Sequence, residues 1–205
     1  IKGIRVGAPE MTYPSTIMST VDQRYGVFEM PYIIVSRAHM KKVADNKAVQ
    51  KALFDGLPAR GIRMLGVWEN GFRHITNNRR PINTPDDLKG IKLRVPEGKW
   101  RVKMFQAYGA NPTPMKFSEL FTALQTGVVD GQENPFANIV SAKFFEVQKY
   151  LSLPNHLYTP AYVTVGTKKW ATLPPDVRQV LEDTAREVQP FVYATAEKWD
   201  TELLE

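Results

Sequence analysis

Between residues 61 and 167 the chain repeats one pattern, and that pattern restricts the fold more than any other feature. A short β-branched or aliphatic run is followed by a longer run with apolar residues at helical spacing, and glycine or proline separates the two. "GIRMLGVW" (61–68) reads as a strand. "IKLRV" (91–95) alternates, with Ile91, Leu93 and Val95 on one face and Lys92 and Arg94 on the other. "WRVKMFQAYG" reads as a helix stopped by Gly109, "NPTPM" as an extended segment, and "SELFTALQTG" as a helix capped by Ser118 and stopped by Gly127. "VVDG" then reads as a short buried strand, "ANIVSAKFFEVQK" as a helix and "YVTVGT" (162–167) as a further strand. Alternation of this kind predicts α/β layers with largely parallel sheets. In such folds ligands lie beyond the carboxyl ends of strands.

Outside this stretch, Ile1 to Val6 reads as a strand already in progress and "FEMPYIIV" as a strand or corner broken by Pro31. "HMKKVADNKAVQKALFDGL" reads as a single helix. "TPDDLKG" carries a compact helix start: Thr84 as cap, Pro85 at the first position, and Asp86 and Asp87 at the positive end. From Pro175 to the chain end the periodicity predicts one long helix of roughly 30 residues, or ~45 Å, kinked near Pro190. A helix of that length exceeds one small domain and would run along two.

Composition sets outer limits. The chain has 205 residues, enough for one large or two small domains. It has no cysteine, so disulfides, thiol nucleophiles and thiolate metal sites are excluded. The net charge of +6 permits a nucleic-acid partner, but the basic residues are dispersed apart from "NNRRP" and "TKKW", and no basic helix is interleaved with aromatics. Neither common phosphate cradle is present, nor is a nucleophile elbow or an HExxH pair. Both ends read as cut, so the chain is expected to be a fragment that a signal peptide could precede.

The densest polar stretch is "ALQTGVVDGQENP" (123–135), where a valine pair meets Asp130, Gln132, Glu133 and Asn134. Three readings compete. Asp130 and Glu133 could act as acid and base on a small acidic substrate, although one loop rarely separates two carboxylates by the roughly 5–9 Å that paired acids need. Asn134, held extended before Pro135, could offer its amide to a ligand. The stretch could also be a simple turn. The Arg94 guanidinium, at the end of an alternating strand, suits bidentate recognition of a carboxylate. Arg73 follows another strand, so three strand ends carry polar residues that could share a cleft.

The segments "RRPINTPDDLKGIKLRVPE", "GANPTPMKFSELFTALQTGVVDGQENP" and "KFFEVQKYLSLPNH" resemble the substrate-binding proteins of tripartite ATP-independent periplasmic (TRAP) transporters, the DctP family. The resemblance implies an α/β, two-lobed periplasmic-binding-protein-like fold with discontinuous lobes, a ligand cleft between them and a long helix spanning both. The lobes would comprise 1–70 with 160–198, and 71–159 with 199–205. It implies that Arg94 makes the principal salt bridge to a substrate carboxylate, with Arg73, Asn134 and Phe117 beside it and Glu10 as the acidic candidate for the ligand's distal end. The polar stretch becomes a ligand-facing turn in which Gln132 and Glu133 support the loop. Glu97, Tyr13, His156, Tyr158 and Tyr162 are further candidates for selectivity. The implied protein is a periplasmic monomer that needs no cofactor. It binds a small carboxylate and delivers it to the TRAP membrane subunits, with no nucleic-acid partner and no enzymatic activity.

Overall fold

The computed structural model describes residues 1–6 and 8–204 and contains two β-sheets. The strands are β1 (Met11–Thr12), β2 (Ile62–Phe72), β3 (His74–Asn77), β4 (Lys92–Val95), β5 (Asn111–Pro114), β6 (Gly131–Asn134), β7 (Tyr150–Ser152) and β8 (Tyr158–Gly166). The helices are α1 (Lys2–Val6), α2 (Met18–Val21), α3 (Arg37–Asp45), α4 (Lys47–Phe54), α5 (Lys99–Ala107), α6 (Phe117–Gln125), α7 (Phe136–Ser141), α8 (Thr167–Thr172), α9 (Pro175–Glu187) and α10 (Gln189–Glu202).

The first sheet has the order β1-β8-β2 and is wholly antiparallel. Its core gathers Ile4, Met18, Tyr25, Phe28, Met40, Leu57, Ile62 and Tyr162. The second sheet has the order β5-β4-β6-β3-β7. Only its β5-β4-β6 part is parallel, while β3 runs antiparallel to both β6 and β7. The expectation of largely parallel sheets therefore holds for three strands alone. The connections differ: α5 and α6 provide the crossovers that join β4, β5 and β6 in parallel, whereas only a 3-10 turn lies between β3 and β4.

Strand alternation divides the second sheet into two faces. Ile75, Leu93 and Val95 lie on one face and pack with Leu88, Ile91, Phe105 and Leu157. A separate core of Leu120, Leu124, Val129, Phe136, Ile139 and Phe144 brings together α6, α7 and the turn before β6. The two sheets are joined by β2 and β8, which pair along most of their length up to Phe72 and Tyr158.

Several local expectations change. Residues 2–6 form a helix rather than a strand. "FEMPYIIV" is the end of a 3-10 helix followed by irregular chain, because Pro31 withholds a donor and Tyr32 adopts φ +58°. The single helix read from residue 39 is two, since Asn46 accepts from Ala48 and Val49 and starts α4 anew. "TPDDL" forms a 3-10 turn, with the Thr84 N–H donating to Asp87 at 2.8 Å. Helix α6 begins at Phe117, so Ser118 is inside it and caps nothing.

The long terminal helix is also two. α9 ends at Glu187, α10 starts at Gln189, and Pro190 sits in the first turn of α10, where a missing N–H costs little. The pair still passes from one layer to the other. Trp68 and Gln189 tie its middle to β2, and Leu203 at its end packs on the α6–α7 core.

"VVDG" is not a strand. The strand starts only at its last residue and runs Gly131–Asn134, all buried. Gly131 is required there, because a Cβ would stand 2.7 Å from the Asn77 Cβ and closer still to the Thr76 carbonyl oxygen. Gly131→Ala is expected to cost about 1–3 kcal/mol of stability, the usual penalty for overpacking. Urea unfolding of the variant checks this, and an unchanged midpoint would contradict the close β3–β6 approach.

Candidate functional site

Strand β6 occupies the centre of the second sheet, so its polar side chains are buried and each must find a partner. Alternation sends Gln132 and Asn134 to one side and Glu133 to the other. Gln132 donates to Thr76 at 2.9 Å, and Asn134 donates to Gln132 at 2.5 Å. The Asn134 oxygen accepts from Arg73 at 3.2 Å and from Asn138 at 3.3 Å. Asn138 also donates to Asn70, which donates to Thr159, so the amide chain reaches the paired strands that join the two layers.

Glu133 is clamped. Arg73 donates from Nε to Oε2 at 2.5 Å and from Nη2 to Oε1 at 3.0 Å. Arg101 donates from Nη1 to both carboxylate oxygens at 2.6 Å, and its Nε and Nη2 reach Glu29 at 3.1 and 2.7 Å. His156 Nε2 stands 3.3 Å from Glu133 Oε2. Burial alone would raise the Glu133 pKa. The guanidinium groups of Arg101 and Arg73, with the nearby His156 ring and the hydrogen bonds from Arg73, overcome it and hold the carboxyl far below the usual range. For Glu29 the balance is reversed: burial wins over Arg101 and raises its pKa. The His156 pKa is lowered, chiefly by burial, so its ring is neutral at neutral pH.

Arg94 is placed differently. It lies on β4 opposite Gln132, only 3% exposed. Its Nε and Nη2 both donate to the Met115 carbonyl, at 3.0 and 2.7 Å, and its guanidinium lies 6.0 Å from the Phe117 ring. Among the described residues no carboxylate is within ion-pair distance of it. Burial, followed by the like charges of Arg73 and Arg101, pushes its pKa down to about 10 against the pull of Glu133, which still leaves it charged at neutral pH. The cluster contains three guanidinium groups (Arg73, Arg94, Arg101) and two carboxylates (Glu29, Glu133). With both acids ionised, three minus two leaves one positive charge, and it resides on Arg94.

The sequence-selected residues thus separate. Arg94 and Phe117 come together, the guanidinium 6.0 Å from the ring, and Asn134 ends the neighbouring strand two residues beyond the Gln132 that Arg94 faces. Arg73 joins them only through Asn134, because its fork is occupied by Glu133. Glu10 lies apart, exposed on the first layer, with its carboxylate 2.6 Å from Lys169. Glu97 is exposed, Tyr162 is packed edge-on against Tyr25 in the first core, and Tyr13 donates to the Glu69 carbonyl at 2.7 Å. The polar stretch 130–134 is a central strand and its lead-in rather than a ligand-facing turn. Glu133 is no loop support but the hub of a buried ion network. Asp130 accepts from the Lys92 N–H at 2.9 Å and pairs with Arg79 at 3.1 Å, well apart from Glu133 in role. A carboxylate saturated by two arginines holds no proton to donate and is a poor base, so the acid–base reading of Glu133 and Asp130 loses its physical ground.

Arg101 and Glu29 escaped the sequence reading. Arg101 shares the helix face of Met104 and Phe105, three and four residues on, and a cation on an apolar helix face signals a buried partner. Glu29 offered less, standing between Phe28 and a proline-broken run.

The second sheet thus carries a buried, aromatic-flanked guanidinium, Arg94, with no carboxylate partner among the described residues. The family model for bacterial extracellular solute-binding protein, family 7 (DctP), matches residues 1–205. The chain is 39% identical over 188 residues to the 2,3-diketo-L-gulonate-binding periplasmic protein YiaO of Escherichia coli, covering 91% of this chain and 57% of that protein. It is 37% identical to the C4-dicarboxylate-binding periplasmic protein DctP of Rhodobacter capsulatus, covering 100% of this chain and 62% of that one. Among solved structures, the sugar acid binding protein DctPAm of Advenella mimigardefordensis in complex with galactonate superposes with TM-score 0.95 at 40% identity, over 99% of this chain and 66% of that one. A TRAP periplasmic solute binding protein of Sulfurospirillum deleyianum with bound succinate gives TM-score 0.93 at 33% identity, over 99% and 66%. The chain belongs to the DctP family of extracellular solute-binding proteins, whose relatives and structural neighbours are transport proteins rather than enzymes. It spans a little over half the length of the curated relatives it matches.

Replacing Glu133 by Gln would leave two buried guanidinium groups without their shared anion. A loss of about 3–5 kcal/mol is expected, as for breaking a buried pair from one side. Because the folded-state pKa of Glu133 lies below its unfolded value, the stability its charge contributes is present above the ordinary carboxylate range. That stability is lost as pH falls through and below it. Denaturant unfolding from pH 7 to pH 3 should show a smaller acid-side decline in Glu133→Gln than in wild type, and parallel curves would refute the assignment.

Proposed function

We propose that this chain forms the ligand-capturing part of an extracytoplasmic TRAP-transporter binding protein that takes up an organic acid and presents it to the membrane subunits. The carrying observation is Arg94: a buried guanidinium whose charge is balanced by no carboxylate of the described residues, flanked by Phe117 and paired along β4 with Gln132, two residues before Asn134. A buried charge is tolerated when a counter-charge and hydrogen bonds compensate it, and a ligand carboxylate supplies both. The named ligands of the relatives and of the superposed structures, among them 2,3-diketo-L-gulonate, galactonate and succinate, carry a carboxylate. A periplasmic location, a monomeric state and delivery to membrane subunits follow the family rather than any contact in this chain. No described helix is long and apolar enough to cross a membrane.

In this reading Arg73 and Arg101 neutralise Glu133, fix the strand that carries Asn134 and leave Arg94 as the one guanidinium free to pair with substrate. Arg94→Lys is expected to weaken binding of the cognate acid by about 2–5 kcal/mol, because a point charge does not reproduce the fork. Isothermal titration with a panel that includes galactonate and succinate measures this. Equal affinities for variant and wild type would remove Arg94 from the site and the reading with it.

Capture also requires the layers to move. We assign 1–70 with 160–198 to one lobe and 71–159 with 199–205 to the other, crossing near Asn70 and Pro160 and followed by the α9–α10 pair. Arg101–Glu29 and Lys99–Gln23, at 2.7 and 3.1 Å, tie α5 of the second lobe to the first. Contacts of that kind are made only when the lobes are together, and a ligand touching both lobes favours that state. Spin labels at Asp45 and Lys103 should approach on adding the acid. An unmoved distance distribution at saturation would overturn the closure account while leaving the role of Arg94 intact.

A further inference from the structure

The first turn of α5 meets the first lobe in register. A 3-10 helix turns once every 3.0 residues, so Gln23, Gly26 and Glu29 of the helix Gln23–Glu29 lie in one row along it. Three consecutive residues of α5 meet that row in order. Lys99 donates to Gln23 at 3.1 Å, the Trp100 indole lies against Gly26, and Arg101 reaches Glu29 at 2.7 Å. Resting on the lobe division and the capture role proposed above, we propose that Trp100 and Gly26 are positioning residues for capture. The indole seats on the bare glycine only when the lobes are fully shut, and this fit sets how firmly a bound acid is held.

Gly26 makes the contact specific. Its φ lies outside the left-handed region, so its backbone conformation does not call for glycine. The ring does: a Cβ at Gly26 would stand 2.7 Å from Trp100 Cδ1 and closer still to Nε1. Gly26 is buried and Trp100 half-buried. The indole N–H has no acceptor among the described residues, so the contact is one of shape and apolar surface. The Lys99 and Lys103 ammonium groups lie 4.8 and 5.7 Å from the ring, within cation–π reach, and steady it from its own helix.

Range separates this contact from its two neighbours. Lys99 and Arg101 carry long side chains that can follow a partner through a small opening. A ring against a backbone cannot, since a gap of about 0.5–1 Å forfeits a quarter to a half of each dispersion contact. Only interactions that differ between two states shift the balance between them. The Trp100–Gly26 contact therefore distinguishes fully shut lobes from nearly shut ones, although neither residue belongs to the Arg94 site.

The chain has no cysteine, so one introduced pair reports closure. Gln23→Cys with Lys99→Cys, bridged by a short bis-maleimide, traps the shut form even where it is rare, and the trapping rate follows its population. In that background Gly26→Ala should slow trapping by about fivefold or more, and Trp100→Ala likewise. The two together should slow it no more than Trp100→Ala alone, because removing the ring removes the clash. Trp100→Phe keeps a ring and gives up no hydrogen bond, so it should trap near the parent rate. Without the cysteines, galactonate should bind Trp100→Ala about tenfold more weakly than Trp100→Phe, with the loss in faster release. Additive effects of the two alanine substitutions, or unaltered trapping in either, would overturn the inference and leave the role of Arg94 intact. Failure of the parent pair to trap at all would overturn the lobe division, and the inference with it. Should Gly26→Ala not fold, equal trapping by Trp100→Ala and Trp100→Phe would overturn the inference by itself.

Discussion

The carboxylate of Glu133 is the point on which the rest of the site depends. It accepts from Arg73 and Arg101 while fully buried, and each guanidinium continues to a further partner: Arg73 to Asn134, Arg101 to Glu29. In a low-dielectric interior an isolated ion is costly, and a matched, hydrogen-bonded set is tolerated. The network therefore fixes positions more than it adds stability. It locks β6 against β3 and α5, holds the Asn134 amide in one orientation, and joins the second sheet to the 3-10 helix that ends at Glu29.

Charge balance within the network decides which arginine can serve a ligand. Three guanidinium groups lie near two carboxylates, and geometry pairs two of them completely. Arg94 lies on the opposite side of the strand plane, held by the Met115 carbonyl through two of its nitrogens and by the Phe117 face. Those two hydrogen bonds fix its orientation, which under the proposed function lowers the side-chain entropy lost on pairing with an anion. The same arrangement argues against acid–base chemistry at Glu133, which is kept ionised and fully engaged.

Lobe coupling rests on a second set of contacts. β2 and β8 are continuous paired strands that leave the first sheet and end beside Arg73 and Leu157, while Asn70, Thr159 and Asn138 link them to α7. The helix pair α9–α10 follows them, broken at Val188. A break between two short rigid helices, with proline in a tolerated position, allows a change of angle there at little cost in hydrogen bonds.

The sequence by itself determined the elements whose signals are local. "IKLRV", "NPTPM" and "SELFTALQ" formed where alternation, proline and helical spacing placed them, and the DctP family was legible in three ungapped segments. Arg94 and Asn134 were singled out as candidates from their own surroundings in the sequence, and Phe117 from the family resemblance alone. Only the tertiary structure decided the rest. Nothing local to "GQENP" says that it is a central strand instead of a turn; pairing with β3 and β4, both distant in sequence, makes it one. Nothing local to Arg73 says that its charge is consumed, because the consuming carboxylate lies sixty residues away. Whether a charged side chain is a ligand or a strut depends on which other charges folding brings within ion-pair distance, and periodicity in one dimension does not encode that distance.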